Sequence, residues 1–415
     1  MKIAIVTYAL QVGGVETFIR LLADYFQVQC HKVDLIETLT KGRWSDSFSK
    51  LGYTVKHILP NPFRSRIHHA KRIAEILKNY DVVILNDAPF AQAAIGLLPD
   101  SAVVIPVLHS NLTTMVQNAT ANLANWDMLS AVSPLLRDCA VSSGVDEKRI
   151  CCIPNGIPVP EEWPKETAPS TDEQPLKVIY IGAINHTQKG VMYLPGIIGR
   201  AAGEYSGLSL DIVGDGPDME RLKDSFTSSA RIRQQSHGLL PHRDAMELLC
   251  GADVLIMPSH FEGLPLVLLE AVASGVVPIV SRLPGCTDFV VDHGKNGYLC
   301  EIGDEAGFAT ALVTLAKDRA MLKRLSKSAW ETAAQRFSYK LTGAAYLQLA
   351  ESCRRLRKEG FERKRSGLID QSLLDDFPKL PIFLVRPVRK LMRILGLYKD
   401  TKPHPLLVER KSVGK

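Results

Sequence analysis

Short apolar runs rich in β-branched residues alternate along this chain with longer segments of helical periodicity. Seven such runs fall in the first part: KIAIVTY, KVDLIETL, YTVKHIL, DVVILND, AVVIPVLHS, MLSAVS and RICCIPN. Their nearly continuous hydrophobicity predicts parallel strands covered on both faces. Intervening segments such as VETFIRLLADYF and RIHHAKRIAEILKNY predict helices. Together they predict a doubly wound α/β domain. Residues 158–175, PVPEEWPKETAPSTDEQP, break the pattern with proline and small polar or acidic residues, which predicts a linker. A second series follows, with strands expected at KVIYIGA, LSLDIVGDG, ADVLIMPS, VVPIVSR and GYLCEI. Two consecutive Rossmann-like domains facing across a cleft are therefore expected, with ligands beyond the carboxyl ends of the strands. The expected divisions are 1–165, 176–337, a helix over 338–358 returning to the first domain, and a basic amphipathic tail over 359–415.

Composition adds little to this picture until charge is placed along the chain. The 415 residues exceed one hydrophobic core, and 46% hydrophobic with 23% charged residues is ordinary for a globular protein. The net charge of +6 is uneven. From Arg354 to Lys415 there are 17 Lys or Arg against 7 Asp or Glu, a net of +10, which leaves −4 for the rest. The body thus gives no electrostatic footprint for nucleic acid. The opening MKIAIVTYAL reads as a first strand rather than a secretory signal, and no run is long and apolar enough to span a bilayer. Eight scattered cysteines without a CxxC pair predict reduced core thiols in a cytoplasmic protein.

The stretch HFEGLPLVLLEAVASG, residues 260–275, sets Glu262 and Glu270 on either side of an apolar run. Buried helices rarely carry a glutamate without a partner. Glu262 is expected in the loop leaving the strand DVLIMPS, and Pro265 in the first turn of a helix ending near Gly275. Eight residues of helix rise cover roughly 12 Å, the scale of a nucleoside-diphosphate-sugar. The helix N-terminus between the two carboxylates offers free N–H groups near Leu266 and Val267 to a diphosphate. Glu262 is placed to accept from sugar hydroxyls and Glu270 from ribose hydroxyls. A solvated loop residue and a salt-bridged helix residue are the plain alternative.

This E-x7-E pattern after a strand resembles the donor site of retaining glycosyltransferases of the GT-B fold, especially glycosyltransferase family 4. GVETF after Gly13, LSAVSPLLRDCAVSSGVDEKRICCIPNGI, VGDGPDMERLK and HGLLPHRDAMELLCGADVLIMPSHFEGLPLVLLEAVASGVVPIVS carry the resemblance over roughly residues 1–350. It implies donor contacts from Glu262, Gly263, Leu266, Val267 and Glu270. It further implies that Lys189, in NHTQKG, contacts the diphosphate and stabilises its developing charge. His109, in VLHSN, resembles the family histidine near the transferred sugar, and Gly13 and Gly14 the loop that lets backbone approach the ligands. The family's usual arginine six positions before the lysine is Ala183 here. Arg282, Arg243 and His186 are candidate substitutes for that cation.

The resemblance implies a retaining, metal-independent glycosyltransferase using no cofactor. Its donor is a nucleoside-diphosphate-sugar and its acceptor a sugar, glycan or lipid-linked hydroxyl. No D-x-D motif or His/Cys cluster indicates a metal. GDGPDM lacks the last glycine of a dinucleotide fingerprint, having Met219 there. A non-catalytic nucleotide-sugar-binding or partner-binding protein, or a nucleotide-sugar epimerase or hydrolase, remains an alternative on the same fold. In the tail, FPKLPIFLVRPVRKLMRILGLYKD mixes basic and apolar residues at helical spacing, a signature of peripheral contact with an anionic membrane at its inner face. A helix packed on the protein, or a disordered tail, is the other reading.

Overall fold

The computed structural model describes residues 1–11, 13–165, 174–226, 233–358, 364–374 and 377–394. Parts of the expected linker (166–173) and tail (359–363, 375–376 and 395–415) lie outside the described residues. The chain forms two compact units. The first comprises Met1–Val132, Leu136–Ile153 and the chain from Gly343 onward; the second comprises Ser133–Leu135 and Pro154–Thr342.

The first unit holds β1 (Lys2–Thr7), β2 (Lys32–Glu37), β3 (Thr54–His57), β4 (Val82–Asn86), β5 (Val103–Leu108), β6 (Leu129–Ala131) and β7 (Ile150–Cys152). They form one parallel sheet in the order β3-β2-β1-β4-β5-β6-β7. The strands β4 and β5 are buried at every position, as helices on both faces require. The order reverses between β1 and β4, which opens a crevice at their carboxyl ends.

The loop after β1 is fixed by a buried carboxylate. Glu37 Oε1, at the end of β2, accepts from the Leu10 N–H at 2.7 Å, the Gly42 N–H at 2.8 Å and the Ser45 hydroxyl at 2.8 Å. Gly42 is required there, since a Cβ would lie 2.0 Å from the Leu10 carbonyl oxygen. The helix Tyr339–Lys358 joins this unit from Gly343 onward. Its Tyr346 is fully buried, packs at a tilt against Phe18 and lies 2.7 Å from the Ser130 hydroxyl.

The second unit holds β8 (Leu176–Ile181), β9 (Leu208–Val213), β10 (Arg233–Gly238), β11 (Val254–Met257), β12 (Val277–Ser281) and β13 (Tyr298–Cys300). Their parallel order is β10-β9-β8-β11-β12-β13, with the reversal between β8 and β11. Residues 154–165, assigned by sequence to the first domain, pack with the second unit. The reason is specific hydrogen bonding. Trp330 Nε1 donates to the Pro160 carbonyl, Trp163 Nε1 to the Ser326 hydroxyl, and Lys165 Nζ to the Cys250 and Ala252 carbonyls. Of the eight free cysteines, Cys286, Cys300 and Cys353 are buried, but Cys30, Cys152 and Cys250 are exposed rather than in the core.

Candidate active site

Two turns of the second unit, one after β8 and one after β11, converge at the carboxyl side of its crevice. The short helix His186–Lys189 ends in Gly190 at φ 61°, and a Cβ on Gly190 would sit 1.9 Å from the Pro258 carbonyl oxygen. Only glycine lets the turn approach the end of β11 this closely. His260 staples the two turns together. Its N–H donates to the Gln188 carbonyl at 2.8 Å, and its ring reaches the Thr187 carbonyl and the Tyr193 hydroxyl, both at 3.0 Å.

This arrangement brings Lys189 onto Glu262. Lys189 Nζ lies 2.7 Å from Glu262 Oε1 and 2.9 Å from Oε2. Ser259 donates its hydroxyl to Oε1 at 2.8 Å. Glu262 is 5% exposed, Ser259 fully buried and the Lys189 side chain 18% exposed. The carboxylate is therefore a partnered, oriented acceptor and not a solvated loop residue. Ser259 escaped sequence reasoning; its only signal is a small hydroxyl residue where the strand meets the glutamate loop.

Ala183 contributes only its carbonyl, which accepts from the Tyr180 hydroxyl at 2.8 Å. Of the substitute cations, Arg243 donates to Glu247 and Arg282 to Glu301, both pairs exposed. Burial, with His260 and Arg221 nearby, lowers the pKa of His186 below the usual histidine range.

The helix Leu266–Ala273 begins just beyond Glu262. Pro265 is its N-cap rather than a residue of its first turn, and the Leu268 N–H bonds the Pro265 carbonyl at 3.1 Å. The amides of Leu266 and Val267 are the first two of the helix and have no acceptor within it. Gly263, Leu266 and Val267 are all half-buried. Glu270 lies in the body of the helix with its side chain 14% exposed, and burial pushes its pKa up to about 7. The His242 ring nitrogen is 3.7 Å away, beyond hydrogen-bond length.

In the first unit, Gly13, Gly14 and His109 line one cavity at the ends of β1, β4 and β5. His109 Nε2 lies 2.9 Å from Asn86 Oδ1, and its ring packs edge-on against Phe18. Burial pulls its pKa down to about 4, so it is a neutral imidazole near pH 7. Gly13 caps the helix Gly14–Val28 in an extended conformation. A Cβ there would meet Glu16 Oε2 at 3.1 Å, a tight contact with the end of that side chain. Glu16 itself was overlooked in sequence. It accepts from the Gln11 N–H at 3.0 Å, and burial raises its pKa to about 7.

Two parallel-sheet Rossmann-like units with these sites at their strand ends define a protein of the GT-B fold. The fold is also that of Anabaena HepE in complex with UDP, with a TM-score of 0.71 at 18% identity over 85% of this chain and 100% of HepE. Residues 12–160 match the family described as Glycosyltransferase Family 4, and residues 175–318 that described as Glycosyl transferases group 1. The chain belongs to glycosyltransferase family 4. Glycogen synthase of Mycobacterium tuberculosis is 28% identical over 228 residues, 54% of this chain and 53% of that protein. The chain thus matches about half the length of that curated relative. Lipopolysaccharide 1,6-galactosyltransferase of Escherichia coli K12 is 27% identical over 335 residues, 75% of this chain and 88% of that protein.

Proposed function

We propose that the protein transfers a glycosyl group from a UDP-sugar to a hydroxyl of a glycan or lipid-linked acceptor, with retention and without a metal. The observation that carries this reading is the buried Lys189–Glu262 pair beside the first amides of the helix Leu266–Ala273. Glu262 positions the sugar hydroxyls, and Lys189 with the Leu266 and Val267 amides takes the diphosphate. Glu270 accepts from the ribose. HepE holding UDP and the galactosyltransferase among the relatives favour a uridine nucleotide and a glycan-building role.

Both oxygens of Glu262 already face Lys189, which favours a positioning role over that of a covalent nucleophile. In the corresponding step, the acceptor oxygen bonds the anomeric carbon on the face that the leaving phosphate vacates. The bond from carbon to phosphate oxygen breaks, and the acceptor's proton passes to that oxygen. Release of UDP from a panel of UDP-sugars, dependent on acceptor and with the product anomer read by NMR, tests this. An inverted product, or UDP release indifferent to acceptor, overturns it.

The finer localisation also belongs to this reading. Among the described residues no helix is long and apolar enough to cross a membrane. The helix Ile382–Ile394 packs on the first unit through buried Val385 and through Ile382 and Phe383 N–H bonds to the Arg64 and Pro62 carbonyls. Its outer stripe, Phe383, Arg386, Lys390 and Leu391, is exposed, and Phe63 packs at a tilt against Phe383. A stripe of apolar and cationic side chains suits the surface of an anionic bilayer. The membrane-surface and packed-helix readings then apply to different faces of one helix. Loss of sedimentation with anionic vesicles in Phe383→Ser/Leu391→Ser supports this; undiminished sedimentation removes it.

A further inference from the structure

Between the helices Tyr339–Lys358 and Ile382–Ile394, residues 364–374 are built into the first unit. Arg365 anchors them and is only 8% exposed. Its backbone N–H donates to the Asp100 carboxylate at 2.9 Å. Its guanidinium donates to the Pro99 carbonyl at 3.3 Å, to the Ala102 carbonyl at 2.5 Å and to the Asn125 carbonyl. The Asp127 carboxylate lies 3.7 Å away. A buried guanidinium is costly unless its donors are used, and here they tie the loop before β5 to the loop before β6. Further along, the Gly367 N–H donates to the Gly96 carbonyl at 3.0 Å and the Asp370 N–H to the Ala93 carbonyl at 2.9 Å. A Cβ on Gly96 would lie 2.3 Å from the Leu368 carbonyl oxygen, so glycine is what admits the segment there.

From this segment a line of hydrogen bonds runs to the cavity that holds His109. The Ser366 N–H donates to Asn125 Oδ1 at 2.8 Å, and Asn125 Nδ2 to Asn122 Oδ1 at 2.5 Å. Asn122 Nδ2 donates to the Gln92 carbonyl at 2.8 Å, and Gln92 Nε2 to the Ala121 carbonyl at 2.7 Å. Asn125 and Gln92 are both 3% exposed, so solvent does not substitute for these bonds. Asn122 sits at φ 57°, a conformation that favours glycine and tolerates asparagine. Gln92 belongs to the helix Pro89–Ala94, and Ala121 caps the helix Thr113–Thr120. Pro89 and Gln92 of the first helix, with Met115, Asn118 and Ala119 of the second, line the cavity. The relay therefore fixes these two walls against each other.

We propose that residues 364–374 are a strap that sets the cavity wall, and that Arg365, Asn125 and Asn122 are positioning residues for the acceptor. This rests on the glycosyl-transfer reading, on which the cavity beside His109 faces the acceptor. The three residues act through Gln92 and the helix Thr113–Thr120, not by touching substrate. A wall that moves loses contacts made equally in the ground state and the transition state, which raises KM for the acceptor and leaves kcat in place. The tail then has two separable roles, a strap in residues 364–374 and a surface helix in Ile382–Ile394. Truncation removes both together, whereas single substitutions separate them.

The test uses the full chain with Arg365→Met, which unties the strap, and Asn122→Gly, which keeps the left-handed turn and removes the relay. Asn122→Gly decides the matter if Arg365→Met does not fold. UDP release is measured with UDP-glucose and UDP-galactose and with soluble octyl glycosides of glucose, galactose and N-acetylglucosamine. Each variant is expected to raise the acceptor KM about fivefold or more, with kcat and the KM for the UDP-sugar within about twofold of wild type. Hydrogen exchange without any ligand is the second readout. Arg365→Met is expected to speed exchange in residues 116–122, and Asn122→Gly in the helix Pro89–Ala94, segments distant in sequence from each substitution. An unchanged acceptor KM, an equal loss in kcat, or exchange that changes only around the substituted residue overturns the proposal. If wild type releases no UDP with any acceptor, the glycosyl-transfer reading fails, and exchange alone decides whether the strap sets the wall.

Discussion

Lys189→Met separates what the Lys189–Glu262 pair does for the fold from what it does for the reaction. In the wild type, Glu262 receives two contacts from Lys189, at 2.7 and 2.9 Å, and one from Ser259 at 2.8 Å. Removing the cation leaves a carboxylate of 5% exposure that still accepts from the Ser259 hydroxyl. Breaking a buried pair from one side costs about 3–5 kcal/mol. The Ser259 bond and the partial exposure of Lys189 place this case near the low end, about 3 kcal/mol. Replacing the carboxylate as well, in Lys189→Met/Glu262→Gln, removes the stranded charge. The amide keeps the Ser259 contact, so most of the lost stability is expected to return.

Activity is expected to behave differently. A preorganised cation at a leaving diphosphate is worth about 10²–10³ in rate, and no glutamine restores it. Urea melts of wild type, Lys189→Met, Glu262→Gln and the double variant give their stabilities, and UDP release well below their melting temperatures gives kcat/KM. The expected pattern is a coupling free energy in stability together with activity that stays low in the double variant. Full kcat/KM in Lys189→Met, or recovery of activity in step with stability, refutes the assignment of Lys189 to the diphosphate.

Two further substitutions follow from the same site. The folded pKa of Glu270, about 7, lies above its ordinary value of 4.5, so the native state binds the extra proton between these values. This stabilisation is fully present below pH 4.5 and lost as pH rises through 7. Glu270→Gln is therefore expected to gain stability relative to wild type between pH 5 and pH 8, by up to roughly 3 kcal/mol in urea melts. A difference that stays flat across this range contradicts the burial argument. Gly190→Ala adds a Cβ 1.9 Å from the Pro258 carbonyl at a φ of 61°. It is expected to cost more than about 2 kcal/mol and to lower kcat/KM by displacing Lys189; an alanine variant as stable as wild type removes the close-approach explanation.

What was legible in the sequence divides along physical lines. Strands buried on both faces announce themselves. VVILN in β4, VVIPVL in β5 and VPIVS in β12 are continuous apolar runs because helices cover both of their sides. The edge strand β10, RQQSHG, has no such signature, since it pairs on one side only and its side chains are half-buried or exposed. Propensity reasoning passes over a segment whose place is set by pairing with β9. The proline-rich segment after Ile157 misled in the opposite sense. Its composition reads as a spacer, yet two indoles and Lys165 fix its described part to the second unit through bonds to residues some 85–170 positions away.

The site shows the same division. Glu262 and Glu270 stood out because a carboxylate amid apolar residues demands a partner, and the demand is met differently at the two positions. Glu262 found a cation, Lys189, from a turn 73 residues earlier, and spacing within one element does not reveal such a pairing. Glu270 has His242 only at 3.7 Å and is shifted upward by burial. Glu16 has the same character, a carboxyl raised to about 7 in the first turn of an apolar helix, and the reasoning that singled out Glu270 applies to it equally. The shared cause of both shifts is desolvation without a neighbouring cation to offset it. A ligand that supplies hydroxyl donors relieves that cost, as ribose does at Glu270 in the proposed donor complex. The glutamate that needs no ligand to satisfy it, Glu262, is the one already held by Lys189 and Ser259. In the proposed donor complex the lysine contact is exchanged for sugar hydroxyls and phosphate, so that on this reading the pair is a preformed stand-in for the donor's own charge.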